Sequence, residues 1–191
     1  MKTPPAELAR QLVDVSDQIL RADPALRLED IAQMVGASRA TMYYYFSGRD
    51  DLLSFLLVTH AKNGAQAVRD RVDAGLPPSD RLQLMIRTLV EFLGRCPGMC
   101  SGLLGALGGS GRLRDVLAAN ETWIAGPLRE VLIEGRATGV FAVENVPDAT
   151  NAMLGSMLLA VLGRSMSGED TTDPTFHEQV TRHVTRAVAV P

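Results

Sequence analysis

The chain has too little of several things to fit many common classes. Its 191 residues include only two cysteines, Cys96 and Cys100, too few for a disulfide framework or a four-ligand zinc site. No stretch approaches the roughly eighteen uninterrupted apolar residues of a membrane span. Lys2 is followed by Pro4, Pro5, Glu7, Arg10 and Asp14, the wrong composition for a secretory leader. The expected location is the cytoplasm, with no membrane partner. There are no internal repeats, no low-complexity tracts and no alternating pattern of a half-buried strand. The three histidines, His60, His177 and His183, lack metal-ligand company. No nucleophile has a plausible base, and the glycines at 98–111 lack the Gly-Lys-Ser/Thr of a phosphate loop. No catalytic residue, metal or cofactor is therefore expected. Positive charge is also missing: the net charge is −3, unlike the basic balance usual in nucleic-acid binders.

What the chain has is apolar content, 46% hydrophobic against 21% charged residues, enough to build a core. Its apolar residues recur at helical spacing nearly everywhere, so the fold class is all-α. Leu8, Leu12, Val15 and Ile19 share one face of a first helix, which Asp23-Pro24 ends. A second short helix runs from about Leu28 to Val35, and Gly36 is placed to terminate it. Ser38 can cap a third helix that reads through Phe46. A fourth starts near Asp50-Asp51, where two carboxylates suit a first turn, and fades by Gly75. Residues 79–95 are amphipathic. Gly98, Gly102, Gly105, Gly108, Gly109 and Gly111 suggest a short helix in a loose connection. Helix resumes over 112–138, kinked at Gly126-Pro127, and Gly139 stops it. Two last helices are expected at about 147–166 and from Asp173-Pro174 to about 189.

Two short helices around a tight glycine turn, 28–35 and 38–46, form the helix-turn-helix pattern. Met42 and Phe46, four apart, can anchor the second helix on Leu12, Ile19 and Ile31. Arg39, Ala40 and Tyr44 then face outward. Arg39 can offer a fork to guanine O6 and N7; Thr41, Tyr43, Tyr45 and Arg49 can reach phosphates.

Asp30-Ile31-Ala32, Val35-Gly36-Ala37-Ser38, Thr41-Met42-Tyr43-Tyr44-Tyr45-Phe46, then Arg49 and Leu52 resemble the TetR family's DNA-binding signature in order and spacing. The resemblance is close over about residues 6–56. A weaker echo is Gly139-Val140-Phe141 ahead of Asp148, Ala149 and Ala152. It implies an N-terminal three-helix helix-turn-helix DNA-binding domain, 1–49, and a larger helical ligand-binding and dimerisation domain, 50–191. It also implies a double-stranded DNA operator, palindromic and bound by a homodimer, with repression as the family default. The sequence departs from the pattern at Arg49, where lysine is usual, and at Ala40, where glycine is frequent. Glu29 stands where threonine or a basic residue is common, and a carboxylate there opposes a phosphate contact. Over residues 1–55, six basic side chains face eight acidic ones, so weak non-specific binding and a shallow salt slope are expected.

In the family the last two helices pair with their copies, here 147–166 and 174–189. Leu154, Leu158, Val161 and Leu162 supply an apolar face, and Gly155, Ser156, Ala160 and Gly163 allow close approach. The middle helices typically enclose an inducer pocket, for which Met99, Leu103, Leu104, Trp123, Met153 and Met157 are the candidates; the few charges there favour a small apolar or amphipathic ligand. The alternatives are an all-helical protein–protein adaptor, which the acidic N-terminal balance and Glu29 would favour, or a small-molecule enzyme. Cys96 and Cys100 would serve a redox switch only if exposed with lowered pKa; cysteines more often pack inside.

Overall fold

The computed structural model describes residues 2–108 and 113–190. Among them there is no strand, only an isolated bridge between Phe141 and Ala189. The helices are α1 Ala6–Asp14, α2 Ser16–Arg21, α3 Leu28–Met34, α4 Arg39–Tyr45, α5 Arg49–Arg69, α6 Pro78–Arg95, α7 Gly98–Gly108, α8 Leu113–Asn120, α9 Gly126–Ala137, α10 Val146–Met166 and α11 Pro174–Arg186. Two compact units result: residues 1–60 with 98–118, and residues 61–97 with 119–191. The fold is the expected all-α one, with an N-terminal helix-turn-helix and a larger helical remainder. Gly109 and Gly111 lie outside the described residues.

Local chemistry explains most helix ends. Gly36 has φ +64, a left-handed conformation that glycine adopts without Cβ strain. It lets Ala37 N–H reach the Ala32 carbonyl at 2.9 Å and Gly36 N–H the Gln33 carbonyl at 3.2 Å, closing α3. Gly139, φ +73, ends α9 the same way, with Val140 N–H on the Gly135 carbonyl at 2.8 Å. Ser38, Asn145 and Asp173 cap α4, α10 and α11 by accepting from Thr41, Asp148 and Thr175 N–H.

Three expectations change. The first helix is broken at Val15 into α1 and α2. Ser16 Oγ donates to the Val13 carbonyl at 2.6 Å and lies 2.8 Å from His60 Nε2, so a polar tether to α5 sits at the break. The helix expected over 112–138 is interrupted by a π-helical turn, Glu121–Ala125. There Gly126 N–H reaches back to the Glu121 carbonyl; the wide turn precedes Pro127, which has no N–H to give. The glycine-rich connection is an eleven-residue helix, α7, seated against α2. A Cβ on Gly98 would lie 2.7 Å from the Asp17 carbonyl, and one on Gly102 2.6 Å from Leu20 Cδ2. The glycines let two helices approach closely, and Gly98 N–H donates to Asp17 Oδ1 at 2.7 Å.

In the second unit, Leu82, Ile86, Leu128, Leu132 and Met157 are fully buried. α6 meets the start of α11 at Gly94, where Thr171 Oγ1 donates to the Gly94 carbonyl at 2.7 Å and His177 Nε2 lies 2.8 Å from the Thr171 carbonyl. His60 and His177 are thus buried structural groups, and His183 is exposed. Cys100 is buried and Cys96 half-buried.

Candidate nucleic-acid interface

The interface rests on one apolar cluster. Leu8, Leu12, Ile19, Leu28, Ile31, Met42, Phe46, Leu52 and Leu56 bury together, joining α1–α5. Met42 and Phe46 have no exposed surface and fix α4 from below, on Leu12, Ile19 and Ile31 as their spacing predicts. Truncating Phe46 to alanine in such a site costs about 3–5 kcal/mol, a large share of a domain's stability. The turn into α5 is held by Asp51, whose buried carboxylate accepts from Ser47 N–H at 2.9 Å and from the Ser47 hydroxyl.

With the inner face anchored, Arg39, Ala40, Tyr43 and Tyr44 are left exposed on α4, while Thr41 and Tyr45 are half-buried. The hydroxyls are not all free. Ser38 Oγ lies 2.8 Å from Thr41 Oγ1. Tyr43 donates to Glu29 Oε1 at 2.9 Å, and Arg39 Nη2 pairs with that same oxygen at 3.2 Å. The Arg39 guanidinium also lies 5.4 Å from the Tyr43 ring centre. Tyr44 meets Tyr45 edge-on at 4.9 Å and carries Lys2 Nζ 3.6 Å above its ring. Glu29 is held below the ordinary carboxylate range, first by its own backbone N–H at the helix start and then by the Tyr43 hydroxyl. Desolvation opposes this, and Arg39 and Arg27 add smaller charge effects.

Sequence reasoning missed one member of this face and the links of another. Lys2 was not expected here, since nothing in the residues ahead of α1 says that they fold onto Tyr44. Glu29 was visible as a carboxylate in the wrong place, but its link to Tyr43, fourteen residues away, was not.

The ligand candidates divide between the units. Met99, Leu103 and Leu104 lie in the first, with Met99 buried and Leu104 exposed. Trp123, Met153 and Met157 lie in the second, the two methionines buried. A cavity of about 240 Å³ in the first unit involves none of them. Leu20, Leu53, Leu57, Arg49, Ser54 and Val116 are among its walls. Arg49 Nε is shut off from solvent there with no hydrogen-bond partner among the described residues. No group of His, Cys, Asp and Glu that could hold a metal occurs among the described residues.

A short exposed helix, anchored by two buried side chains behind a glycine turn, defines a helix-turn-helix DNA-binding protein. Comparison with known proteins agrees. Residues 24–54 match the family described as bacterial regulatory proteins, tetR family. An uncharacterized HTH-type transcriptional regulator of Mycobacterium tuberculosis is 24% identical over 141 residues, 69% of this chain and 70% of that one. The fatty acid degradation regulator FadR from Bacillus halodurans shares the fold at TM-score 0.79 with 17% identity, covering 96% of this chain and 97% of its own. RolR in complex with resorcinol does so at TM-score 0.66 with 17% identity, covering 96% and 88%. The match over residues 24–54 and the shared whole-chain fold together support a TetR-type DNA-binding transcriptional regulator.

Proposed function

We propose that this regulator is a repressor that binds a palindromic operator as a homodimer and releases it on binding a small apolar or amphipathic ligand. The observation that carries the reading is the α4 face, where Arg39, Ala40 and Tyr44 stand exposed over fully buried Met42 and Phe46. Arg39 reads a base edge, and Thr41, Tyr45 and Arg49 serve phosphates; Tyr43 stands on the same face with its hydroxyl taken up by Glu29. In this reading residues 1–49 bind DNA and 50–191 serve ligand binding and dimerisation.

Dimerisation runs through 147–166 and 174–189. The most apolar eighteen-residue window of α10 has a mean hydropathy of 1.2, yet only 28% of it is buried within the chain. By length and composition such a helix could cross a bilayer. Its flank of Met153, Met157 and Val161 is instead buried in the second unit, and Arg164 near its end pairs with Glu169 and Asp173. A second copy of the chain is the better cover for the rest: Leu159 is 58% exposed, and a Cβ at Gly155 or Gly163 would meet nothing. The protein then acts in the cytoplasm, without catalysis.

The residues proposed for ligand binding are Met99, Leu103 and Leu104 in the first unit and Trp123, Met153 and Met157 in the second; the resorcinol-bound structure of similar fold supports a small-molecule effector. The ligand acts by favouring a form whose two recognition helices no longer match half-sites roughly 34–36 Å apart. Selection of random duplexes on the purified protein, followed by sequencing, tests the reading. An enriched inverted repeat is expected, bound with a shallow salt slope. Folded, dimeric protein that enriches nothing would favour the adaptor.

A further inference from the structure

The acidic residue on the DNA-facing side needs an account. Glu29 opens α3, and its Oε1 takes two donors from α4, the Tyr43 hydroxyl at 2.9 Å and Arg39 Nη2 at 3.2 Å. The Arg39 side chain is 72% exposed and that of Glu29 31%. An ion pair this open contributes little to folding, so stability does not explain it. Its effect is on what the two α4 side chains can do. A Tyr43 hydroxyl that donates to Glu29 does not donate to a phosphate. An arginine beside a carboxylate and over a ring is limited in orientation, and its charge is locally cancelled.

We propose that Glu29 is a specificity-determining positioning residue, which keeps Arg39 and Tyr43 from the DNA backbone and holds Arg39 for a base edge. The proposal rests on the reading of α4 as the recognition helix. Phosphates attract any free cation regardless of sequence, and Arg39 has reach enough to meet one. Next to Glu29 that contact brings a phosphate toward a carboxylate, which opposes it. A guanine edge brings no charge and accepts the fork. A base amino group, such as cytosine N4, can also donate to the carboxylate. The glutamate thus penalises sequence-independent contacts more than base contacts, and specificity is the difference between the two.

The test compares the wild type with Glu29→Gln, Tyr43→Phe, Arg39→Ala and the double variant Glu29→Gln/Arg39→Ala. Each is subjected to duplex selection and to binding of the best operator and a random duplex across a salt series. Glutamine keeps an acceptor for Tyr43 and removes the charge. Glu29→Gln is expected to raise random-duplex affinity about tenfold and to steepen its salt slope by about one. The operator-to-random ratio falls about tenfold, with base preference lost at the pair that Arg39→Ala affects. Tyr43→Phe moves the ratio the same way by less. In the Arg39→Ala background Glu29→Gln has little further effect, because the side chain it restrains is gone. An unchanged ratio overturns the proposal and leaves the DNA-binding reading intact. The same gain in random binding with and without Arg39 also overturns it, reducing Glu29 to a general repulsive charge. A folded wild type that enriches no sequence overturns the operator reading and this proposal together.

Discussion

Three glycines on one helix separate local propensity from packing. Gly98, Gly102 and Gly105 all lie on α7. By helix propensity alone, alanine at an interior position gains about 1 kcal/mol over glycine. The surroundings differ. A Cβ at Gly105 meets nothing within 4 Å, so the gain is kept, and the melting temperature rises by about 2–4 °C for a chain of this size. At Gly102 the nearest atoms are Leu20 Cδ2 at 2.6 Å and Leu57 Cδ2 at 3.3 Å. These are side-chain tips, and moving a leucine off its rotamer costs about 0.5–1.5 kcal/mol, so the net change is near zero. At Gly98 the neighbours are the Asp17 carbonyl at 2.7 Å, Arg21 Cγ at 2.8 Å and Asp17 Oδ1 at 2.9 Å. Backbone cannot yield as a methyl does, and separating the helices also breaks the Gly98–Asp17 hydrogen bond. Overpacking and the lost charge-assisted bond together cost about 2–4 kcal/mol. The assay is thermal unfolding of the three alanine variants at equal protein concentration, since assembly would shift all midpoints. The expected order is Gly105→Ala above wild type, Gly102→Ala beside it and Gly98→Ala well below. Equal upward shifts for all three would refute the close seating of α7 on α2.

His60 is buried on α5, and its pKa is lowered, first by desolvation and with Asp17 opposing. Above the unfolded value, about 6.5, its contribution to stability is fully present; as pH falls below that the unfolded chain takes up the proton more readily, so stability is lost. The urea midpoint of the wild type should therefore decline from about pH 6.5 downward more steeply than that of His60→Gln. In the second unit, a Cβ at Gly135 would overlap the buried Phe141 ring. Gly135→Ala should then destabilise by about 1–3 kcal/mol despite its propensity gain, and Phe141→Ala in the same chain should remove that penalty, a coupling read by a double-mutant cycle.

What the sequence disclosed and what it hid divide by distance along the chain. The Gly36 turn, the Ser38 and Asp173 caps, and the Met42–Phe46 anchor all depend on residues within a few positions of one another, and spacing alone exposes them. The break at Val15 depends on Ser16 meeting His60, forty-four positions away. The seating of α7 depends on Asp17 lying beside Gly98, eighty-one positions away; without that neighbour a run of glycines reads as a loose connection. The π turn falls between. Gly126-Pro127 announces an irregularity, but only the fold shows the wide turn just ahead of it, with Gly126 N–H on the Glu121 carbonyl. On the reading face, exposure of Arg39, Ala40 and Tyr44 follows from helical period, while the Glu29–Arg39–Tyr43 cluster requires two helices to be set at their actual angle.

The acidic total, which at first opposes DNA binding, loses that force once the charges are placed. Arg10 lies between Glu7 and Asp14, Arg21 beside Asp17, and Arg27 beside Asp30. Asp51 is turned inward to Ser47. The Arg21–Asp17 and Arg27–Asp30 pairs are near neutral beyond the Debye length, about 8 Å at physiological ionic strength, and the Arg10 group keeps one negative charge. The charges left for a phosphate approaching α4 are chiefly Lys2, Arg39 and Arg49, against Glu29 and the exposed Asp50. With so few cations few counterions are released on binding, so the sequence-independent part of the affinity is small. Whatever affinity an operator commands must then come from base edges and duplex shape. The shallow salt slope expected of the wild type and the loss of discrimination expected of Glu29→Gln follow from this one distribution of charge, and a steep wild-type slope would count against both.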